Sequence, residues 1–317
     1  MTPLILAPAL DTQTQVVAPL VNGLFNGCAY GLVALGLVLL YRSSRIFNFA
    51  QGEFASVGAF VASSFITGEG FLPKVPYVVA MVGGVAASVL IALLTERVVV
   101  QPLFTRPRVV LVVGTVGVAL LLIAVEGILF PGAGRQLPSI HKLGVSEVPF
   151  TVDGITVRAS QLAELGALVL LGLLSTLFFR HSALGTAILA VSQDVTAARV
   201  VGISVSRVSM LTWGIAGFLA GVGGVVLGAD STFLPGKFTA LVLLPAFAAA
   251  VFGGMTSLPG AFVGGILLGE VQAFGQLDGD TIYGLKSVPG NKAELAVFLV
   301  VLLVLLIRPR GLLGKEA

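Results

Sequence analysis

Charged residues are scarce in this chain. Asp, Glu, Lys and Arg together make up 10% of its 317 residues, whereas soluble globular domains carry about 25%. Hydrophobic residues reach 56%, and the mean hydropathy is +1.05. Several apolar runs reach or approach the roughly 20 residues that a helix needs to cross a hydrocarbon core about 30 Å thick. The composition excludes an ordinary soluble domain and predicts an integral membrane protein.

Reactive side chains are also few. Cys28 is the only cysteine, which excludes an intramolecular disulfide and a cysteine-rich metal site. The two histidines, His141 and His181, fall in predicted loops, which argues against a proton relay inside the membrane. The sequence contains no GxxxxGK[ST], HExxH or CxxC pattern. We therefore expect no enzymatic activity and no metal or other cofactor bound by this chain, and the net charge of only +3 does not indicate nucleic-acid binding.

Apolar stretches predict nine transmembrane helices, packed as one all-α domain over residues 1–317. They lie at about 17–41, 46–66, 77–98, 109–130, 160–179, 208–229, 238–253, 258–275 and 293–308. The stretches 238–253 and 258–275 are short and are separated only by GGMTS, so they are either two spans or two half-helices of a re-entrant hairpin. The prediction is a polytopic helical bundle with eight or nine crossings.

Basic residues predict the orientation of the bundle. With nine spans and a cytosolic C-terminus, eleven of the 18 Lys and Arg residues lie inside and seven outside. Three of those seven belong to the external loop 131–158, where the positive-inside bias weakens. We expect the N-terminus outside. In the loop, ITVR follows an Asp-Gly turn and predicts a strand or hairpin; the loop is either a lid or spacer, or a contact for an extracytoplasmic binding protein.

Glycine is abundant, with 40 residues. Gly23, Gly27 and Gly31 form a tandem small-xxx-small series, and the same spacing recurs in the pairs 224 and 228, 260 and 264, and 265 and 269. Small residues let transmembrane helices approach closely. The pattern therefore predicts a tightly packed bundle or a contact between two such chains.

A polar interruption at residues 180–207 separates the fifth and sixth predicted spans. It contains three arginines, His181 and Asp194. The predicted orientation places this segment in the cytosol. We interpret it as a short amphipathic helix that faces a cytosolic partner.

Six pieces of the sequence together resemble the permease subunits of ABC importers for branched-chain amino acids, over almost the full length. They are NGLFNGCAYGLVALGLVLLY (22–41), IFNFAQGE (46–53), ERVVVQPL (96–103), the 180–207 segment, VFGGMTSLPGAFVGGILLGEVQ (251–272) and RPRGLLG (308–314). The resemblance implies a subunit of the bacterial cytoplasmic membrane that forms a translocation pathway for branched-chain or related small amino acids. It also implies a second homologous permease, two cytosolic ATPases that bind ATP and Mg, and an extracytoplasmic substrate-binding protein.

The resemblance also assigns a role to part of the cytosolic segment. Residues 194–202 would be the coupling helix that seats in a groove of the ATPase, with contacts from Asp194, Ala197, Ala198, Arg199 and Gly202. The acidic residue that often precedes the alanines in importer loops is offset here, at Asp194.

Polar side chains within the predicted spans are candidates for a pathway or gate. Asn48, Gln51 and Glu53 start the second span, where Asn48 and Gln51 either cap the helix beside Glu53 or contribute to that pathway or gate. The resembling permeases commonly have a histidine where this chain has Gln51. Glu126 and Glu270 are intramembrane carboxylates, and each is either a proton or substrate contact or an interface residue.

Other functions remain open at this point. Relatives of this permease type also carry urea or short-chain amides. An ion-coupled secondary transporter is the rival mechanism, favoured by Glu270 and by the tetrapeptide GAFV, which occurs at 58–61 and again at 260–263 and hints at an internal repeat. A membrane scaffold is disfavoured because the loops are small.

Overall fold

The computed structural model describes residues 12–68, 72–104, 106–130, 134–135, 137, 149–152, 155–230, 232, 234–276, 292–308 and 311–314. The helices are α1 (Thr12–Ser44), α2 (Gln51–Thr67), α3 (Tyr77–Thr95), α4 (Gln101–Leu103), α5 (Arg108–Leu129), α6 (Ala159–His181), α7 (Ala183–Gln193), α8 (Val195–Val200), α9 (Val205–Asp230), α10 (Lys237–Gly253), α11 (Leu258–Gly275) and α12 (Lys292–Ile307). A π-helical turn, Glu96–Val100, joins α3 to α4.

Helices occupy all nine predicted positions, which confirms the polytopic helical bundle. In the described part of the chain, five helices (α1, α3, α5, α9 and α11) are long and apolar enough to cross a membrane, and the bent pair α6 and α7 makes a sixth. The helices α2, α10 and α12 are 17, 17 and 16 residues long. These three predicted spans are therefore shorter than the roughly 20 residues of a full crossing.

The hairpin predicted in the loop 131–158 is confirmed. Strand β1 (Pro149–Val152) pairs with β2 (Ile155–Arg158) in antiparallel register, with Pro149 opposite Arg158. The loop residues 138–148 lie outside the described part of the chain, so the choice between a spacer and a partner contact stays open.

Helix α1 is the centre of the bundle. Of an 18-residue apolar window in α1, 89% of the residues are buried, against 22% of such a window in α5. Helix α1 packs against α11, α9, α10 and α6, which explains why it is apolar on all sides. Helix α5 instead presents much of its surface outward, with side chains such as Val113, Leu120 and Ile128 exposed.

The glycine series in α1 meets the glycine series in α11. A Cβ added at Gly27 would lie 2.7 Å from the Ile266 Cα, and one at Gly31 would lie 2.9 Å from the Phe262 carbonyl oxygen. A Cβ at Gly269 would collide with the backbone of Gly23 and Gly27. The small-xxx-small pattern therefore serves close packing inside this chain, and its glycines allow the backbones of α1 and α11 to touch.

A second close contact joins α2, α3 and α9. Ser88 on α3 donates to the carbonyl oxygen of Phe54 on α2 at 2.6 Å. A Cβ at Gly224 of α9 would overlap the backbone of Ala55, and one at Gly217 would lie 2.9 Å from the Ser88 carbonyl oxygen. Three helices thus share one tightly packed junction, which holds α2 in place beside α1.

The stretches 238–253 and 258–275 form two separate helices joined by a turn. Gly254 in this turn has φ 102°, a conformation that side chains rarely adopt. Ser257 caps α11, accepting a hydrogen bond from the Gly260 N–H at 3.1 Å. The residues 311–314, which we call the returning segment, donate to the end of α10: Leu312 N–H to the Phe252 oxygen at 2.8 Å and Leu313 N–H to the Gly253 oxygen at 3.1 Å.

Candidate functional site

The polar segment between α6 and α9 folds into two short helices, whereas the sequence predicted one. The chain bends by 69° between α6 and α7, and Ser182 at the bend accepts a hydrogen bond from the Gly185 N–H at 3.1 Å. Helix α7 then packs against α1, α6 and α9. The shorter helix α8 follows and lies between α7 and α9 in the chain.

Asp194 fixes the start of α8. Its Oδ1 accepts hydrogen bonds from the N–H groups of Thr196 at 2.7 Å and Ala197 at 3.0 Å. A carboxylate at this position satisfies helix donors that otherwise lack a partner, and it also favours the positive end of the helix. The offset of the acidic residue from the alanines is therefore the spacing that an N-cap requires.

Gly202 fixes the end of α8. Its φ is +86°, in the left-handed region that glycine adopts without strain. Gly202 N–H donates to the Arg199 oxygen at 3.0 Å, and Ile203 N–H donates to the Ala198 oxygen at 2.9 Å. This pair of bonds is a Schellman motif. Asp194 and Gly202 thus delimit the predicted 194–202 segment at its two ends by local hydrogen bonds.

The residues of the 194–202 segment differ in solvent exposure. Ala198 is buried, whereas Asp194, Ala197, Arg199 and Gly202 are exposed. The next two residues, Val200 and Val201, are 83% and 74% exposed. They were missed by sequence reasoning, although two adjacent β-branched apolar residues in a polar segment are a usable signal. The exposed face therefore offers a cation beside an apolar patch, a combination that suits a protein contact.

A second set of contacts lies beside α8 and was also missed as a site. Gln101 Nε2 donates to Ser206 Oγ at 2.6 Å, and Arg97 Nη1 donates to Gln101 Oε1 at 2.6 Å. These bonds connect the π-helical turn and α4 to the first turn of α9. The motif ERVVVQPL thus contacts the chain just after the exposed segment.

Within the membrane region, Asn48 and Gln51 form a buried network. Asn48 Oδ1 accepts from the Ala50 N–H at 3.0 Å, and Asn48 Nδ2 donates to Gln51 Oε1 at 3.1 Å. Gln51 Nε2 donates to the Ala216 carbonyl oxygen at 3.0 Å. Asn48 bonds to the N–H of Ala50, the N-cap residue, in the turn before α2, and does not itself occupy the cap position. Gln51 is not a cap, and its side chain instead ties α2 to α9.

Helix α2 begins at Gln51 and not at residue 46. The preceding residues 46–50 leave the helical conformation because Arg45 has φ +56°, which interrupts the helical path. The helical path resumes at Gln51, after the N-cap residue Ala50. This boundary places Glu53 in the first turn of α2, where a carboxylate is favourable.

Two buried carboxylates contact α2, one from its own first turn and one from α5. Glu53 is 0% exposed and its Oε1 accepts a hydrogen bond from Thr239 on α10. Glu126 on α5 is 1% exposed and its Oε2 accepts from Ser56 at 2.8 Å. Each carboxyl group has a second oxygen, Glu53 Oε2 and Glu126 Oε1, without a hydrogen bond among the described residues. Buried polar atoms of this kind bind a ligand, a proton or water in most proteins.

Glu270 lies at a different interface from Glu53. It is half-buried on α11 and faces α1, where a Cβ added at Gly23 would lie 2.8 Å from its Oε2. That oxygen also lacks a hydrogen-bond partner in the described part of the chain. The predicted pathway residues thus fall into a network at the α2 entrance and a separate carboxylate at the crossing of α1 and α11.

No grouping of three or more His, Cys, Asp or Glu side chains that could hold a metal ion is found among the described residues. The exposed α8 and the buried polar groups of α2, α5 and α11 are therefore the two candidate regions. The first can bind a protein, and the second can contact a solute or a proton within the membrane.

Comparison with known proteins identifies a family whose model matches most of the chain. The family described as "Branched-chain amino acid transport system / permease component" matches residues 20–307. The chain is 30% identical to the high-affinity branched-chain amino acid transport system permease protein BraD of Pseudomonas aeruginosa, over 93% of this chain and 95% of that protein.

Two further relatives have related names. The high-affinity branched-chain amino acid transport system permease protein LivH of Salmonella typhimurium is 29% identical, covering 93% of this chain and 94% of that protein. A probable branched-chain amino acid transport permease protein LivH of Methanocaldococcus jannaschii is 28% identical, covering 90% and 88%.

Proposed function

The chain belongs to the family of branched-chain amino acid transport system permease components, and we infer that it is the membrane-spanning subunit of an ATP-driven importer for branched-chain amino acids. The observation that carries this proposal is the match over residues 20–307. The names of the relatives BraD and LivH support the substrate class. The bundle is a multi-pass membrane domain, and we place it in the bacterial cytoplasmic membrane with its N-terminus outside.

The proposed assembly follows from what the chain lacks. The sequence contains no GxxxxGK[ST] pattern, so ATP and Mg have to bind to separate subunits. We assign two cytosolic ATPases, a second homologous permease and an extracytoplasmic substrate-binding protein to the complex. The exposed side chains of α5 are available for lipid or for the second permease.

The proposed coupling element is α8 with its two caps. Because both ends of α8 are satisfied by Asp194 and Gly202, the helix can move as one body when the ATPase closes. Arg199, Val200 and Val201 supply the exposed contact. Motion then reaches the bundle along two routes, through α7, which packs against α1, α6 and α9, and through α9, which begins three residues after Gly202.

The proposed pathway or gate uses the buried polar groups. The Asn48 and Gln51 network holds the start of α2, and it positions Glu53 beside Thr239. The free oxygens of Glu53 and Glu126 are acceptors for a group that carries N–H, such as the ammonium of an amino acid. Glu270 is proposed as a second polar contact, at the crossing of α1 and α11.

Reconstitution tests the class of transporter. The tagged chain is purified with the proteins that accompany it, placed in liposomes, and assayed for uptake of radiolabelled leucine. We expect uptake that requires both ATP and the binding protein, because the chain has no nucleotide site of its own. Leucine uptake by the chain alone, driven by an ion gradient, contradicts the proposal and supports a secondary transporter.

Variants of α8 test the coupling assignment in the same liposomes. Arg199→Glu and Gly202→Pro are expected to reduce leucine uptake by roughly tenfold or more while ATP hydrolysis becomes independent of substrate, since a charge or a helix end at the contact is lost. Arg106→Glu is the matched control, because Arg106 is exposed and lies outside α8. Unchanged uptake in both α8 variants overturns the assignment.

A further inference from the structure

We propose that a cavity at the ends of α1 and α6 binds the phosphate of an anionic phospholipid. The cavity has a volume of about 420 Å³ and lies between α1, α6, α7 and the turn that precedes α11. The polar residues that line it are Arg42, Thr176, Arg180, Thr186, Thr256 and Ser257. This site is separate from the exposed face of α8 and from the buried carboxylates, and it does not depend on the proposed function.

The charge of the cavity has one sign. Arg42 is half-buried at the end of α1, and Arg180 is exposed at the end of α6. No aspartate or glutamate lines the cavity, and neither arginine has an acidic partner in the part of the chain that the structure describes. Arg45 adds a further positive charge that acts on Arg42. Two guanidinium groups that share a cavity without a counter-charge repel each other, so an anion there is favourable.

The turn before α11 adds donors to the same cavity. Ser257 is the N-cap of an 18-residue helix, and its Oγ accepts from the Gly260 N–H. The Ser257 hydroxyl proton therefore remains available to an acceptor in the cavity. The first turn of α11 also places the positive end of the helix dipole beside the two arginines. Arginine and hydroxyl donors around one cavity match the oxygens of a phosphate group.

An exposed apolar stripe identifies the phosphate as that of a lipid. Leu170, Leu173 and Leu177 are 56%, 54% and 52% exposed, and their spacing of three and four residues places them on one face of α6. The same face continues to Arg180, at the mouth of the cavity. An acyl chain can therefore lie along α6 while its headgroup reaches the arginines, as basic pockets at helix ends accept anionic headgroups. A free phosphate makes no use of this stripe.

Because the cavity lies between α7 and the turn before α11, a bound lipid contacts both. Gly185, Thr186 and Leu189 of α7 line one side, and Ser257 and Leu258 of α11 line the other. A headgroup between them contacts both α7 and the turn before α11. Lipid binding therefore stabilises the position of α7.

Native mass spectrometry of the full chain in detergent tests the proposal. Phosphatidylglycerol is added to the protein, and phosphatidylcholine with the same acyl chains is the zwitterionic comparison. Wild type is expected to retain phosphatidylglycerol in preference to phosphatidylcholine. Arg42→Gln combined with Arg180→Gln is expected to lose that preference by roughly tenfold, because two charge-assisted contacts are removed. Arg106→Gln combined with Arg108→Gln is the control, since both arginines are exposed and lie outside the cavity.

Two single variants test whether the protein stays folded, and competition with inorganic phosphate tests whether the bound phosphate belongs to a lipid. Arg180→Gln alone changes an exposed residue, and it is expected to lower retention of phosphatidylglycerol by about threefold without changing the elution volume of the protein. Arg42→Lys keeps the charge and should keep the preference. Inorganic phosphate at 1 to 10 mM (roughly the range of weak ion binding) should not displace the lipid. Equal retention of both lipids by wild type, or equal retention by wild type and the double variant, overturns the proposal, as does displacement by inorganic phosphate.

Discussion

The exposed helix α8 and the buried crossing of α1 with α11 are held by different kinds of interaction. Helix α8 is delimited by hydrogen bonds between residues two to five positions apart, from Asp194 to Thr196 and from Ile203 to Ala198. The crossing is held by glycines that meet partners more than 230 residues away. A local element can keep its shape while its surroundings move, whereas a crossing that depends on backbone contact cannot. The comparison predicts that substitutions in the crossing destroy the fold and those in α8 change activity.

The largest effect is expected at Gly27. Gly27→Leu forces a side chain into the backbone of α11, where even a Cβ would lie 2.7 Å from the Ile266 Cα. We expect a loss of several kcal/mol of stability and little or no protein that elutes as a single peak, since overpacking alone costs about 1–3 kcal/mol. The measurement is fluorescence-detected gel filtration of the full chain.

Gly127→Leu is the matched control for this substitution. Gly127 is on the exposed face of α5, and a Cβ there meets nothing within 4 Å. Its yield and elution should match those of wild type. Equal yields of Gly27→Leu and wild type would show that α1 and α11 do not need backbone contact.

The second largest effect is expected from removal of the side-chain amide of Gln51. Gln51→Ala leaves the Ala216 oxygen and Asn48 Nδ2 without partners in a buried region, and we expect a loss of about 1–3 kcal/mol. Gln51→Glu should be worse, because it removes the donor to Ala216 and buries a charge. Thermal unfolding in detergent measures both.

Gln51→His tests whether the two hydrogen bonds of the Gln51 side chain hold α2 to α9. A neutral imidazole retains one N–H donor and one acceptor, so it can replace both hydrogen bonds of the amide. We expect unfolding within about 1 kcal/mol of wild type. A histidine variant as unstable as Gln51→Ala argues that the length of the glutamine side chain, and not its hydrogen bonds, holds α2 to α9.

The Asp194 cap should affect transport more than stability. Asp194→Ala removes two hydrogen bonds from the start of α8, a local loss of about 1 kcal/mol. Because α8 is exposed, thermal unfolding of the whole chain should change little, and ATP-dependent leucine uptake should fall. Asp194→Asn keeps the acceptor and should keep uptake. A fall in the unfolding temperature as large as that of Gln51→Ala would contradict this difference between the two regions.

The smallest effect is expected from Gly202→Ala. Gly202→Ala forces a side chain into a backbone with φ +86°, at a cost of about 1 kcal/mol, but no atom lies within 4 Å of the added Cβ. Gly202→Asn tolerates this conformation better. Leucine uptake should therefore rank wild type, Asn and Ala in that order. An alanine variant with full uptake would show that the end of α8 need not be fixed.

Local signals in the sequence predicted much of this structure, whereas the contacts between residues far apart in the chain could not be predicted. Hydrophobic runs predicted the helix positions, and an Asp-Gly turn predicted the hairpin. Glycine spacing predicted close packing, but not that Gly27 meets Ile266, because nothing in either segment specifies its partner. The same limit applies to Glu53, whose contact Thr239 is 186 residues away.

Two misses in the candidate site have physical causes of their own. The sequence predicts that the second span starts at residue 46, whereas the backbone at Arg45 interrupts the helix and α2 begins at Gln51. The predicted contacts of the 194–202 segment do not include Val200 and Val201, because apolar residues in a membrane protein are usually expected in buried or lipid-facing positions.

The returning segment sets an order of events during synthesis. Leu312 follows Phe252 by 60 residues, and its N–H is the donor for the Phe252 carbonyl. At about 5–20 residues per second, the end of α10 therefore waits about 3–12 s for this partner after it leaves the ribosome. The end of α10 thus reaches its final hydrogen bonding only after α12 has been made.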